Sequence, residues 1–256
     1  MRPTRALGFV LVAVLLGVWE VAARTGLLDA RFVPAPSTIA IAWVGFATSG
    51  QLLSDLLATL GSWAQGYLIA AVLGVVLGVV MGLVPVVRAM LSTTVELLRP
   101  MPSVAIIPIA IVLFGLGDPM KRFVVAYAAL WPVLINTLYG VRAVDPVLLD
   151  TARTFRLGPL RSTLRVILPA AAPYIATGLR ISTSIALVLV ITAELVASRN
   201  GLGYFVRASE QASRVPEVYA GVLTIAVLGY LLNVLFVAVE ARALAWHRGL
   251  MRTEAA

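Results

Sequence analysis

The chain of 256 residues contains no cysteine, one histidine and one lysine. Without cysteine there is no disulfide, no thiolate nucleophile and no sulfur ligand for a metal. The single histidine, His247, stands near the C-terminal end. A His-based catalytic pair or metal cluster therefore cannot form within the apolar stretches, and neither a catalytic nor a metal site is expected in this chain. The lone lysine, Lys121, lies between Met120 and Arg122. A phosphate-cradling P-loop needs Gly-x4-Gly-Lys-Ser/Thr, and no such run is present. Any ATP that drives this protein must be hydrolysed on another polypeptide. Charge is scarce as well. Only 12% of residues are charged, against about 25% in a soluble domain.

What is present is apolar surface. Hydrophobic residues make up 61% of the chain, which reads as an all-α integral membrane protein. The formal net charge of +8 is assigned to arginines facing an anionic leaflet, not to nucleic-acid binding.

A helix needs roughly 20 apolar residues to cross a bilayer, and six segments qualify. The first opens with Arg2 and Arg5 and runs apolar from Ala6 to Val18. Val21-Ala22-Ala23 also fits a signal-peptidase site, so this stretch reads either as a retained span or as a cleaved leader. Residues 24–61 are mixed. Pro34-Ala35-Pro36-Ser37 marks a turn with Ser37 as a helix cap, and 37–49 and 51–61 read as short helices near the outer surface. The remaining spans are 62–84, 88–116, 120–140, 171–197 and 217–240. Gly74, Gly78 and Gly82 recur at four-residue spacing in the second span and invite close approach of another helix, within one subunit or across a dimer seam. Pro100, Pro102 and Pro108 interrupt the third. The interruption from Arg99 to Pro108 is either a wall of a transport passage or a helix–helix turn.

One stretch stands apart, Asp145 to Pro169. It carries Arg153, Arg156, Arg161 and Arg165 against Asp145 and Asp150. Val144, Val147, Leu148, Ala152 and Phe155 recur at helical spacing, and so do Leu160, Leu164, Ile167 and Leu168. Gly158-Pro159 separates the two sets. Two short amphipathic helices on the membrane surface follow, available either to a soluble partner or to lipid alone. Loop arginines are denser on this side than on the other, which places the loop and both termini in the cytoplasm. The resulting division is 1–61, an N-terminal span with outer connectors; 62–246, a core carrying the loop 145–169; and 247–256, a cytoplasmic tail.

Polar groups inside spans are costly and mark either function or helix contacts. Glu194, late in the fifth span, is a gate or solute-path residue, or else an ion pair or hydrogen bond between helices. Asn136 and Thr137 in the fourth span, with Ser182, Thr183, Ser184 and Thr192 in the fifth, line a passage or bond their own helix backbone. Trp131-Pro132 is a kink beside a passage or plain packing, and Asn233 holds two helices together. Gly201-Leu202-Gly203 favours a tight turn, and Tyr204-Phe205 then suits an interfacial helix.

The Asp145–Pro169 stretch resembles the cytoplasmic coupling loop of ABC importer permeases, the EAA loop. Asp150-Thr151-Ala152 matches its acidic and small residues, and Val166, Leu168 and Pro169 match its ending. Its glycine position is occupied here by Arg156, with Gly158 two residues later. Arg99-Pro100-x-Pro102, Phe114-Gly115, Trp131-Pro132-x3-Asn136-Thr137, Gly178-Leu179-Arg180, Ala193-Glu194 and Gly201-Leu202-Gly203-Tyr204 recur in the branch for nitrate, sulfonates and taurine. The resemblance runs from about Pro34 to Trp246.

It implies a permease subunit with six transmembrane helices and a cytoplasmic two-helix coupling loop, multi-pass in the bacterial inner membrane. It implies a homodimer, a cytoplasmic ABC ATPase dimer that binds ATP and Mg, and an extracytoplasmic solute-binding protein. Asp150, Thr151, Ala152, Arg153, Arg156, Leu157, Gly158, Leu168 and Pro169 are then the ATPase-coupling residues. Arg99, Pro102, Trp131, Asn136, Thr137, Ser182, Ser184 and Glu194 are candidates for the solute path or gate. The cargo implied is a small polar or anionic solute. A pyrimidine, riboflavin or thiamine-precursor cargo is the alternative, because permeases for those look similar. A self-sufficient channel or secondary transporter would show inverted repeats or charges near mid-membrane. No repeat of span pattern is visible, and mid-span charges are few.

Overall fold

A computed structural model describes residues 3–245, with side chains from residue 10 onward. The tail 247–256, with His247, Arg248 and Arg252, lies outside the described residues, as do Arg2 and Trp246. Every regular element among the described residues is helical: α1 Pro3–Arg24, α2 Pro36–Thr48, α3 Gln51–Leu83, α4 Pro85–Leu98, α5 Ile107–Phe114, α6 Asp118–Arg142, α7 Pro146–Thr154, α8 Pro159–Ser162, α9 Leu168–Ala197, α10 Leu202–Gln211 and α11 Val215–Ala243. A 3₁₀ turn, Ser103–Ile106, precedes α5, and a π turn, Thr163–Ile167, joins α8 to α9.

Four helices among the described residues are long and apolar enough to cross a bilayer: Gln51–Leu83, Asp118–Arg142, Pro159–Ala197 and Val215–Ala243. The pair Pro85–Leu98 and Ser103–Phe114, bent by 92°, makes a fifth if it counts as one broken span. The cause of the bend is local. Pro100 and Pro102 cannot donate backbone hydrogen bonds, so the helix stops. The Tyr127 hydroxyl donates to the Leu98 carbonyl at 2.8 Å and satisfies one of the acceptors left at the helix end. Gly115 and Gly117, with φ of 73° and 119°, turn the chain from α5 into α6.

Two expectations are corrected. Residues 51–61 are not a separate surface helix, because α3 runs unbroken from Gln51 to Leu83; no proline interrupts it, and Gly61 and Gly66 are tolerated within it. The second amphipathic helix of the 145–169 stretch is likewise not separate. α8 continues through the π turn into α9, forming one helical run, Pro159–Ala197.

The chain divides into two compact units. The first comprises Met1–Thr59 and Glu194–Val227, and the second comprises Leu60–Ala193 and Leu228–Ala256. α3, α9 and α11 each contribute residues to both.

The second unit is built around α6. A β-carbon placed on Gly66, Gly74, Gly78 or Gly82 of α3 would come within 2.6–2.7 Å of Val125, Val133, Thr137 or Val141 of α6 respectively. Each α6 partner lies the same number of residues further along, so the two helices run parallel in fixed register. The glycine row therefore serves close packing inside one chain, where dispersion and backbone approach replace the missing hydrophobic drive. α9 crosses α6 in the opposite sense. Gly178 meets Pro132, Val133 and Asn136, while Gly140 meets Ala171 and Tyr174.

In the first unit Glu20 of α1 accepts from the Ser37 amide at 3.0 Å and from its hydroxyl at 2.7 Å. Ser37 is therefore not the cap of α2. The N-cap residue is Ala35, which makes no side-chain cap bond, and Glu20 satisfies an orphan amide in its place. Phe46 stacks on Phe205 at 3.8 Å between centroids. Trp43 Nε1 donates to Thr224 Oγ1 at 3.1 Å, and the Tyr219 hydroxyl donates to the Phe32 carbonyl at 3.0 Å.

Candidate functional site

The 145–169 loop begins with a self-contained cap. The Asp145 side chain accepts from the Val147 amide at 2.8 Å, and Pro146 occupies the first helical position, where its missing N–H is no loss. Thr151 and Thr154 turn their hydroxyls back to the carbonyls of Val147 and Asp150. Arg153 pairs with Asp150 at 2.9 Å, but both side chains are largely exposed, so the pair is worth less than about 1 kcal/mol.

The end of α7 explains the glycine position of the family resemblance. Arg156 N–H donates to the Arg153 carbonyl at 2.8 Å, and Leu157 N–H donates to the Ala152 carbonyl at 3.0 Å. This is a Schellman closure, which needs a left-handed residue. Arg156 is that residue, with φ of 51°. The turn is thus kept without glycine, at a backbone cost of about 1–2 kcal/mol. Gly158 is extended, φ −63° and ψ 161°, as the following proline demands.

The expected apolar faces are only partly inward. Val144, Ala152 and Ile167 are buried. Val141, Val144, Ile167 and Ala171 form a cluster with Leu149 packed against it. Val147, Leu148, Phe155, Leu160 and Leu164 are instead exposed. The anchoring residue the sequence reading missed is Leu149, which sits one position from the expected row and has the same helical spacing to Ala152 and Asp145.

Leu168 and Pro169 form a second local device. The Leu168 amide donates to the Thr163 carbonyl, five residues back. Pro169 has no amide to donate, so the usual ladder is broken there and the helix widens into a π turn. A proline inside an amphipathic run was the available signal.

The candidates for a solute path scatter. Arg99 and Pro102 are exposed at the bend after α4. Ser184 is exposed on α9, whereas Ser182 is buried and donates to the Ala129 carbonyl of α6 at 2.7 Å. Asn136 donates back to the Pro132 carbonyl at 2.8 Å, beside the crossing with Gly178. Thr137 is fully buried against Gly78, and among the described residues neither its hydroxyl nor the buried Nε1 of Trp131 makes a hydrogen bond. Thr183 and Thr192 bond carbonyls four residues back in their own helix.

Glu194 is fully buried in the first unit. It accepts from Thr59 Oγ1 at 2.9 Å and from the Gly203 amide at 3.0 Å. The Gly201 amide donates to Asp55 Oδ1 at 3.0 Å, and the Leu202 amide donates to Thr59 Oγ1 at 2.9 Å. Three successive amides at the start of α10 are thus held by side chains from α3 and α9, with two carboxylates at the positive end of the helix dipole. Gly201 has φ of 101° and leaves no room for a β-carbon beside the Glu194 carboxylate. Arg207 completes the knot by donating to the Leu195 and Val196 carbonyls at the end of α9. Tyr204-Phe205 lies in the short helix α10, with Tyr204 half-buried and Phe205 buried in its stack with Phe46.

Apolar helices of spanning length, a proline-bent helix pair and a surface loop with its own caps define an α-helical membrane protein. Comparison with known proteins narrows the class. The model of the binding-protein-dependent transport system inner membrane component family matches residues 70–244, and the chain belongs to that family. It is 34% identical over 239 residues to a Bacillus subtilis chain described as an aliphatic sulfonates transport permease protein, SsuC, covering 93% of this chain and 87% of that one. It is 32% identical to the taurine transport system permease protein TauC of Escherichia coli, covering 92% and 88%. Among solved structures, the fold is similar to a chain of the MetNI methionine ABC transporter, with a TM-score of 0.64 over 77% of this chain and 97% of that chain, at 16% identity.

Proposed function

We propose that this chain is the permease subunit of an ATP-driven importer for a small polar or anionic solute of the sulfonate, taurine or bicarbonate kind. The relatives supply the cargo class. One is named for aliphatic sulfonates, one for taurine, and a third, 38% identical over 183 residues, is the bicarbonate transport system permease protein CmpB of Synechococcus elongatus. The chain works as a homodimer in the bacterial inner membrane, with α1 as a retained first span among six. Both termini and the 145–169 loop face the cytoplasm. Residues 62–246 are the permease core, which the family match over 70–244 supports. This subunit hydrolyses no ATP. ATP and Mg bind a separate ATPase dimer, and a solute-binding protein delivers cargo on the outer side.

The observation that carries the coupling assignment is the form of α7. One side is fixed by the buried Ala152 and by Leu149, which packs on Val141, Val144, Ile167 and Ala171. The other presents Arg153, Arg156 and the exposed apolar Val147, Leu148 and Phe155. A short helix capped at both ends and clamped along one side transmits a push, whereas a flexible loop would absorb it. Closure of the ATPases on ATP draws the two loops together and opens the passage outward, and hydrolysis returns it.

Co-purification with a co-expressed ABC ATPase subunit tests the assignment. The intact chain retains the ATPase, and an Arg153→Glu, Arg156→Glu double variant loses it by tenfold or more while still inserting in the membrane. Transport by the intact chain alone, without ATP, would remove the importer reading.

A further inference from the structure

A cavity of about 530 Å³ lies within the second unit, between one face of α4 and the last turns of α6. α4 contributes Arg88, Ser92, Glu96 and, just past its end, Arg99, at spacings that share one helical face. α6 contributes Tyr139 and Arg142, three residues before the Asp145 cap. Met81 and Leu138, both buried, form an apolar wall.

The charge balance is lopsided. Three arginines line one cavity with a single acidic residue, Glu96. None of the three makes a hydrogen bond or an ion pair among the described residues, although Arg88 is half-buried. Cations concentrated in a concavity with an apolar wall focus a positive potential into it. A guanidinium presents a planar fork that matches two oxygens of a phosphate, sulfonate or carboxylate. The Tyr139 hydroxyl adds a donor of the right kind, whereas that of Ser92 is given to the Ala89 carbonyl. Arg88 and Arg99 are about 16 Å apart along the helix axis, so the cleft suits an anion with some length, its oxygens on a guanidinium and an apolar part on Met81 and Leu138.

We propose that this cleft is a binding site for an oxyanion-bearing amphiphile, in which Arg88 and Arg142 hold the anionic group. The same chemistry comes from two sources, an anionic phospholipid headgroup or a soluble organic oxyanion. The soluble source overlaps the proposed cargo class and in that arm the inference rests on the proposed function, whereas retention of the lipid does not depend on it.

The test uses the full chain in lipid nanodiscs. In phosphatidylcholine discs, hexanesulfonate and inorganic sulfate are titrated by calorimetry at low ionic strength. In discs containing phosphatidylglycerol, retained lipid is counted by native mass spectrometry. Arg88→Gln with Arg142→Gln is expected to weaken binding of the effective probe at least tenfold, and Arg88→Lys with Arg142→Lys by only a few-fold. Hexanesulfonate binding in phosphatidylcholine identifies a soluble ligand; phosphatidylglycerol retained without hexanesulfonate binding identifies the headgroup. If the glutamine pair disturbs folding, Glu96→Gln takes its place. Removing the competing carboxylate is expected to tighten binding about threefold or more. Binding of none of the three probes overturns the proposal, as does binding of sulfate alone, equal binding by the glutamine pair, or an affinity that Glu96→Gln leaves unchanged.

Discussion

Two short helices, α7 and α10, end alike and begin differently. Both close with a left-handed residue that is not glycine, Arg156 at φ 51° and Ser213 at φ 55°. At Ser213 the Arg214 amide reaches the Ser209 carbonyl and the Ser213 amide reaches that of Glu210, the same closure as at Arg156. Their starts diverge. α7 is capped by Asp145, two residues from the amide it holds. α10 is capped by Asp55 and Thr59, 146 and 143 positions away in sequence, and by Glu194. α7 therefore carries its own instructions, while α10 exists as placed only when α3 and α9 are in position. The difference suits their surroundings. An exposed helix start can draw on water for any amide its cap misses. A buried start cannot, and each unsatisfied amide there costs several kcal/mol in an apolar medium.

The comparison can be broken most sharply at Gly201. Gly201→Ala puts a β-carbon against the Glu194 carboxylate on backbone at φ 101°, a region that is essentially glycine's alone. A loss of about 3–5 kcal/mol is expected, read as a large fall in the thermal midpoint in detergent and as protease cleavage near residues 198–203. Insensitivity to this change would show that the α10 start is looser than described. Asp145→Ala tests the self-capped helix and is expected to cost about 1 kcal/mol. The loss should be confined to α7, so amide hydrogen exchange rises at Val147 to Leu149 while α10 is unaffected. An effect spread over both helices would erase the contrast. The smallest change has the opposite sign. Arg156→Gly relieves the left-handed arginine and is expected to stabilise the α7 end by about 0.5–1 kcal/mol after glycine's own entropy is counted. Slower exchange at the Arg156 and Leu157 amides checks it. The same variant should co-purify with the ATPase at no less than half the intact level, because Arg153 and the apolar edge remain.

Much of the membrane architecture was legible in the sequence because bilayer length is a strong constraint. The fourth, fifth and sixth spans fall within a few residues of Asp118–Arg142, Leu168–Ala197 and Val215–Ala243. The proline-interrupted third span is the 92° bend, since missing amides act wherever they sit. Periodicity was half right at 145–169. Of its two rows Val144, Ala152 and Ile167 are buried, whereas Val147, Leu148, Phe155, Leu160 and Leu164 are exposed, and Leu149, outside both rows, packs on the cluster. A helix with apolar residues on more than one side does not say which one is covered. Glu194 was legible as a residue with a purpose, since a carboxylate at that depth is costly, but not as a holder of the Gly203 amide.

Composition, span lengths, proline breaks, the Asp145 cap and the family motifs were determined by the sequence alone, because each rests on the bilayer or on neighbours a few residues away. Only the tertiary structure decided the parallel seam of α3 on α6, the choice of Asp55, Thr59 and Glu194 to cap α10, and the gathering of Arg88, Arg99 and Arg142 around one cavity. Those depend on helix register and rotation. In an apolar solvent these are set by where backbones can approach and buried polar groups can find partners, not by local pattern.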